Sequence, residues 1–217
     1  MAPLDPSQPM AAIESAAAAY RNWGRWGDDD VLGTLNFVTD DKRVEAASLV
    51  QRGVAFSLAQ SFDGDGPQNG WRRRTNPVHT MLDTGVDAAL GNQGFPHGFG
   101  GADDVVAMPL QASTQWDGLG HIFDRGRAWN GRKSEDVVTS AGDLFTGIET
   151  ARHRFVSRGV LLDVGAALGD DGELPDGFAI TPEHLRLTID AQGESSTVGR
   201  GDIVLVRTGR LTRARRE

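Results

Sequence analysis

Two rhythms of apolar positions run along the chain. Helical spacing is clearest over residues 41–51, where Val44, Ala47, Leu49 and Val50 predict one apolar face. Thr39 or Asp40 stands where an N-cap is needed, and Gly53 where a helix would stop. A second helix is predicted from Thr181-Pro182-Glu183 to about residue 191, since that triplet supplies a cap, a proline at the first position and an acid near the positive end. Residues 11–20 are rich in alanine and predict a short helix behind a loose arm containing Pro3, Pro6 and Pro9. Strand-like runs occupy 54–58, 105–110, 159–164 and 201–206, the last two continuous enough to suit buried strands. Strand, helix and strand in alternation predict an α/β fold, with antiparallel hairpins in the middle.

Between these runs the chain is loop-rich, as 28 glycines and 9 prolines require. Residues 61–77, with Arg72-Arg73-Arg74, read as a long exposed loop, and residues 91–101, with His97, as a loop able to lie over a site. In Asn22-Trp23-Gly24-Arg25-Trp26-Gly27 the two tryptophans are read as rings that anchor a loop on the core. The arm is assigned to residues 1–20 and a single domain to 21–217. That domain is expected to be interrupted at its C-terminal end, because the sequence stops soon after the 201–206 strand with no closing element.

Composition narrows the function. A chain of 217 residues with 39% hydrophobic and 24% charged positions has enough apolar residues for a sizeable core. A net charge of -8 argues against nucleic acid as a partner, because a duplex needs a basic face. With no cysteine, disulfides, thiolate zinc sites and cysteine nucleophiles are excluded, and any metal must take nitrogen or oxygen ligands. No run of about 18 apolar residues and no secretory leader is visible, so the expected location is cytoplasmic, away from the membrane.

The candidate chemistry lies in Gln111-Ala112-Ser113-Thr114-Gln115-Trp116-Asp117-Gly118-Leu119-Gly120-His121. Side chains with donors or acceptors fall at Gln111, Ser113, Gln115, Asp117 and His121, and in an extended strand they would share one side. Asp117 is then a candidate ligand for a hard cation or an orienting acid, and His121 a proton carrier near neutral pH. Trp116 would face the other way and plug the core. Trp129 and Asn130, in the following loop, are candidates to line a substrate pocket together with Trp116.

This segment resembles the signature of the cyclase family, which includes kynurenine formamidase-like and isatin hydrolase-like enzymes. The family pattern is His-x-Gly-Thr-His-x-Asp-x-Pro-x-His; here Gln111, Ser113, Thr114, Gln115, Asp117, Leu119 and His121 stand at its fixed positions without a gap. The similarity extends to Trp23-Gly24-Arg25-Trp26-Gly27, Leu32-Gly33-Thr34-Leu35-Asn36, Val160-Leu161-Leu162-Asp163 and the 201–209 run. The resemblance implies a swivelling β/β/α domain with a mixed sheet and flanking helices, assembled as a homodimer or homotetramer. It also implies hydrolysis of a small aryl formamide or cyclic amide, with lactone hydrolysis, cyclisation or dehydration, or small-molecule binding without catalysis, as alternatives. In metal-dependent relatives the first two histidines and the aspartate hold a divalent metal and the last histidine assists proton transfer. Glutamine replaces both histidines here. Two readings follow: Gln111, Gln115 and Asp117 hold a divalent metal (manganese, magnesium or zinc, of which zinc suits amide oxygens least), or the site is metal-free and Asp117 orients His121 as a base.

Overall fold

The computed structural model describes residues 7–216; Pro3 and Pro6 of the expected arm lie outside the described residues. Helix α1 (Pro9–Tyr20) begins with proline at its first position and buries no side chain. Helix α2 (Asp40–Ser48) is capped by Thr39, whose hydroxyl accepts from the Lys42 N–H, and Asp40 and Asp41 occupy its positive end. It stops five residues short of Gly53, and its expected apolar face is turned outward, with Val44 and Val50 each 71% exposed. Lys42, Arg43 and Ala46 are the half-buried positions instead. The physical reason is electrostatic: Lys42 Nζ reaches the buried carboxylate of Asp202 at 2.8 Å and fixes which side of the helix faces in.

Strand β1 (Val78–Asp83) is followed by α3 (Gly85–Ala89), which carries a capping box between Thr84 and Asp87. Strand β2 (Asp103–Ala107) pairs antiparallel with β1, Val78 opposite Ala107, with a register shift between Met81 and Asp83. Helix α4 (Ser134–Val137) leads into a short antiparallel pair, β3 (Val138–Thr139) and β4 (Gly142–Asp143). Strand β5 (Gly159–Asp163) runs into α5 (Val164–Leu168), which Asp163 caps by accepting from the Ala166 N–H. Helix α6 (Pro182–Gln192) matches its expected span, and β6 (Ile203–Arg207) is hydrogen-bonded beside β5. Helix α7 (Arg210–Ala214) follows.

The class is therefore α/β with helices flanking small sheets, and among the described residues the strands form two-stranded pairs. Residues 54–58, expected as a strand, are not one: Phe56 is 83% exposed, and two hydroxyls take the place of a ladder. Thr114 Oγ1 accepts from the Gln60 N–H and donates to the Leu58 carbonyl, while Ser113 Oγ donates to the Gln60 carbonyl. Strand β5 buries one face only: Val160 and Leu162 are inside and Leu161 is half-exposed. No helix among the described residues is long and apolar enough to cross a membrane.

Two compact units alternate along the sequence. One comprises residues 1–51, 117–162 and 189–206, with Val38, Ala128, Val137, Ala151, Val160 and Leu162 in its core. The other comprises 52–116, 163–188 and 207–217, with Ala112, Val164 and Leu174 buried.

Candidate active site

The segment 111–121 is not a strand. Leu110–Ala112 and Leu119–His121 are single 3-10 turns, and the residues between them pair with no ladder. The one-sided arrangement expected from a two-residue rhythm does not arise. Trp116 is 56% exposed, so it is not the core plug that an extended strand would make of it. Ala112, at 1% exposed, and Gly120 are the buried residues of this stretch.

What the turn achieves is a different meeting of the same residues. His121 N–H donates to the Gly118 carbonyl, and the turn brings the His121 ring back so that Nδ1 lies 2.5 Å from Asp117 Oδ1. Both side chains are partly open to solvent, 48% for His121 and 40% for Asp117. A carboxylate only accepts, so Nδ1 carries the proton and Nε2 presents the basic lone pair.

Two glycines make the turn possible. A Cβ on Gly118 would stand 2.7 Å from the Thr146 carbonyl oxygen, and one on Gly120 would stand 2.1 Å from Asp143 Oδ2 and 2.9 Å from Thr146 Oγ1. The 143–146 turn is itself fixed, because Asp143 accepts from the Phe145 and Thr146 N–H groups and from the Thr146 hydroxyl. Neither turn was visible as part of a site in the sequence; only the glycine spacing at 118 and 120 hinted at it. Replacing Gly120 by alanine is expected to cost about 1–3 kcal/mol through overpacking. Because it displaces the turn that carries His121, turnover should fall with stability. Thermal unfolding and kcat measured on the same preparation check this.

Trp129 and Asn130 hold the chain between residues 24 and 33. Leu119 Cδ1 and the Trp129 ring both approach Gly33, whose φ of +56° favours glycine. Trp129 Nε1 donates to the Asp30 carbonyl at 2.9 Å. Asn130 accepts from the Gly24 N–H and donates to the Gly27 carbonyl, each at 3.0 Å. Their polar groups therefore clamp the tryptophan-bearing loop over residues 24–30.

Three of the other four histidines have partners of their own. His79 Nε2 lies 2.6 Å from Asp104 across the β1–β2 pair, an acid–imidazole contact that no local spacing announces. His184 Nδ1 accepts from the Thr181 N–H, and His153 Nε2 accepts from Arg152 Nε.

The Cyclase family model matches residues 56–217. The chain belongs to this family. A crystal structure described as that of a novel cyclase is similar to it at 39% identity with a TM-score of 0.81, covering 90% of this chain and 64% of that protein. The chain thus spans less than two thirds of that cyclase's length. No curated protein sequence matches.

The donor set of this cyclase-family chain does not suit a zinc ion. Gln111 and Gln115 offer neutral amide oxygens where zinc takes imidazole or thiolate, and Asp117 Oδ1 already holds the His121 ring. Among the described residues no three His, Asp or Glu side chains gather as a metal-binding group. Gln111 is half-buried with its backbone carbonyl accepting from Gln68 Nε2 at 2.6 Å, and Gln115 is exposed.

Proposed function

We propose that this cyclase-family chain belongs to a hydrolase that cleaves the C–N bond of a small aryl formamide or cyclic amide, with His121 as general base and Asp117 as the acid that orients it. The observation that supports this reading is the 2.5 Å contact between Asp117 Oδ1 and His121 Nδ1, partly open to solvent. An imidazole held in one tautomer by a carboxylate suits proton transfer at neutral pH. In the proposed step Nε2 takes a proton from water as its oxygen attacks the carbonyl carbon. The C–N bond then breaks, and the imidazolium returns that proton to the leaving nitrogen, giving the carboxylic acid and the amine. Asp117 stays ionised throughout and stabilises the imidazolium.

Hydrolysis assays of the intact protein on formamide, cyclic amide and lactone panels, with and without chelator, test this reading together with metal analysis of the same sample. Turnover of a formamide or cyclic amide that survives chelation is the expected result. Chelator-sensitive turnover with bound manganese or magnesium would replace it by an oxygen-ligand metal site at Gln111, Gln115 and Asp117. Absence of turnover on all three panels would overturn the hydrolase assignment for these substrates.

A further inference from the structure

A cleft of about 370 Å³ is bordered by the 34–38 turn and the 199–203 segment. Arg25, Phe37, Arg200 and Asp202 are among the residues that line it. The Arg25 guanidinium sits 5.1 Å from the centre of the Phe37 ring and that of Arg200 sits 4.8 Å from it. Trp26 packs edge-on against the same ring at 5.3 Å, so the platform is fixed.

Two like charges gathered about one aromatic ring repel each other unless an acid neutralises them. Among the described residues neither Arg25 nor Arg200 has a carboxylate partner. Three acids close to these segments are committed elsewhere. Asp30 accepts from the Gly33 N–H and the Asn36 amide, and Asp40 pairs with Arg43. Asp202, with no exposed side-chain surface, pairs with Lys42 at 2.8 Å and Arg158 at 3.4 Å, so its charge is already matched inside the wall of the cleft. Arg154 adds to the positive surroundings, donating to the Val38 carbonyl, which also accepts from the Asp40-paired Arg43. In a chain of net charge -8, two arginines without a carboxylate partner among the described residues thus stand together at a concave surface.

We propose that this cleft binds a small doubly charged oxyanion, the phosphoryl group of a phosphorylated metabolite or free phosphate, held by Arg25 and Arg200. A guanidinium that stacks flat on an aromatic ring keeps its N–H edges to donate in the plane, the geometry that grips phosphate in a bidentate manner. The site does not depend on the Asp117–His121 reading and stands or falls separately from it.

Calorimetric titration of the intact protein with inorganic phosphate at constant ionic strength tests the proposal, with Arg25→Gln, Arg200→Gln and the double variant alongside. Saturable binding at one site per chain is expected, weakened at least tenfold by each substitution and abolished in the double variant. Arg200→Lys should fall between, since it keeps the charge and loses the fork. Phosphate failing to bind saturably, or binding the folded double variant as tightly as the parent, would overturn the proposal. If free phosphate binds, titration with a simple phosphate monoester shows whether the cleft also admits the phosphorylated metabolite: binding at the same site supports that source, and exclusion overturns it in favour of the free anion. Circular dichroism of each variant confirms that lost binding is not lost folding. Should a single variant fail to fold, the parent titration and Arg200→Lys still decide the outcome.

Discussion

Turnover of a formamide substrate by the intact protein is expected to fall about 10²- to 10⁴-fold when His121 is replaced by alanine, the range that general-base groups contribute. The loss should appear in kcat, because the imidazole acts on the proton that moves in the transition state. Stability should barely change: the ring is nearly half exposed, and substitutions at such surface positions stay within about 0.5 kcal/mol. Asp117→Asn is the sharper companion. The amide keeps the shape of the carboxylate but can present its N–H₂ group to Nδ1, which reverses the tautomer and removes the charge that stabilises the imidazolium; a loss of roughly 10⁴-fold is the measured scale for such an exchange in another acid–imidazole site. Steady-state kinetics with a thermal melt on each variant checks both.

Replacing Asp202 by alanine is expected to destabilise the fold by about 3–5 kcal/mol, the usual consequence of removing one member of a buried ion pair. Its carboxylate has no exposed surface, accepts from the Gly199 N–H at 2.7 Å, and faces Lys42 and Arg158. Lys42 is itself 11% exposed and would be left with Glu45 as its acid. The pair also sets a pH dependence. Burial pushes the Asp202 pKa up, but the Lys42 hydrogen bond, the Gly199 N–H and the charges of Lys42 and Arg158 together outweigh it and hold the group below the ordinary carboxylate range. A depressed native pKa contributes stability that is present above the unfolded value and is lost as pH falls through the native one. For Lys42 the hydrogen bond to Asp202 is the main cause of a raised pKa, so its contribution is complete below the ordinary lysine range and is lost as pH rises through the native value. Urea denaturation across the acid range should show the parent losing stability below the carboxylate range. Asp202→Asn should lack that part of the acid limb.

The sequence was most readable where a local signal coincides with a tertiary one. Thr39 caps α2, the Thr181-Pro182-Glu183 start leads into α6, and the apolar runs at 159–164 and 201–206 become β5 and β6. It misled where a distant partner decides. The 54–58 run has strand composition, yet hydroxyls at Ser113 and Thr114, more than fifty positions away, hold the adjoining backbone at 58–60 in an irregular path. The orientation of α2 follows from one lysine reaching Asp202 rather than from its apolar spacing. At the site itself, Asp117 and His121 are the residues singled out from the sequence, but they meet by a different route. An extended strand was expected from the polar rhythm, whereas Gly118 and Gly120 fold the chain tightly against the 143–146 turn and bring the pair together four positions apart. His79 and Asp104 needed the β1–β2 register to be paired at all.

The claim that Asp117 works through His121 as one unit is tested most directly by a double-mutant comparison of formamide hydrolysis in the intact protein. Because Asp117 has nothing to orient once the imidazole is gone, the Asp117→Asn/His121→Ala double variant is predicted to hydrolyse the substrate no more slowly than His121→Ala alone. If the two losses multiply, or if His121→Ala keeps the parent rate, the pair is not the base that drives the reaction.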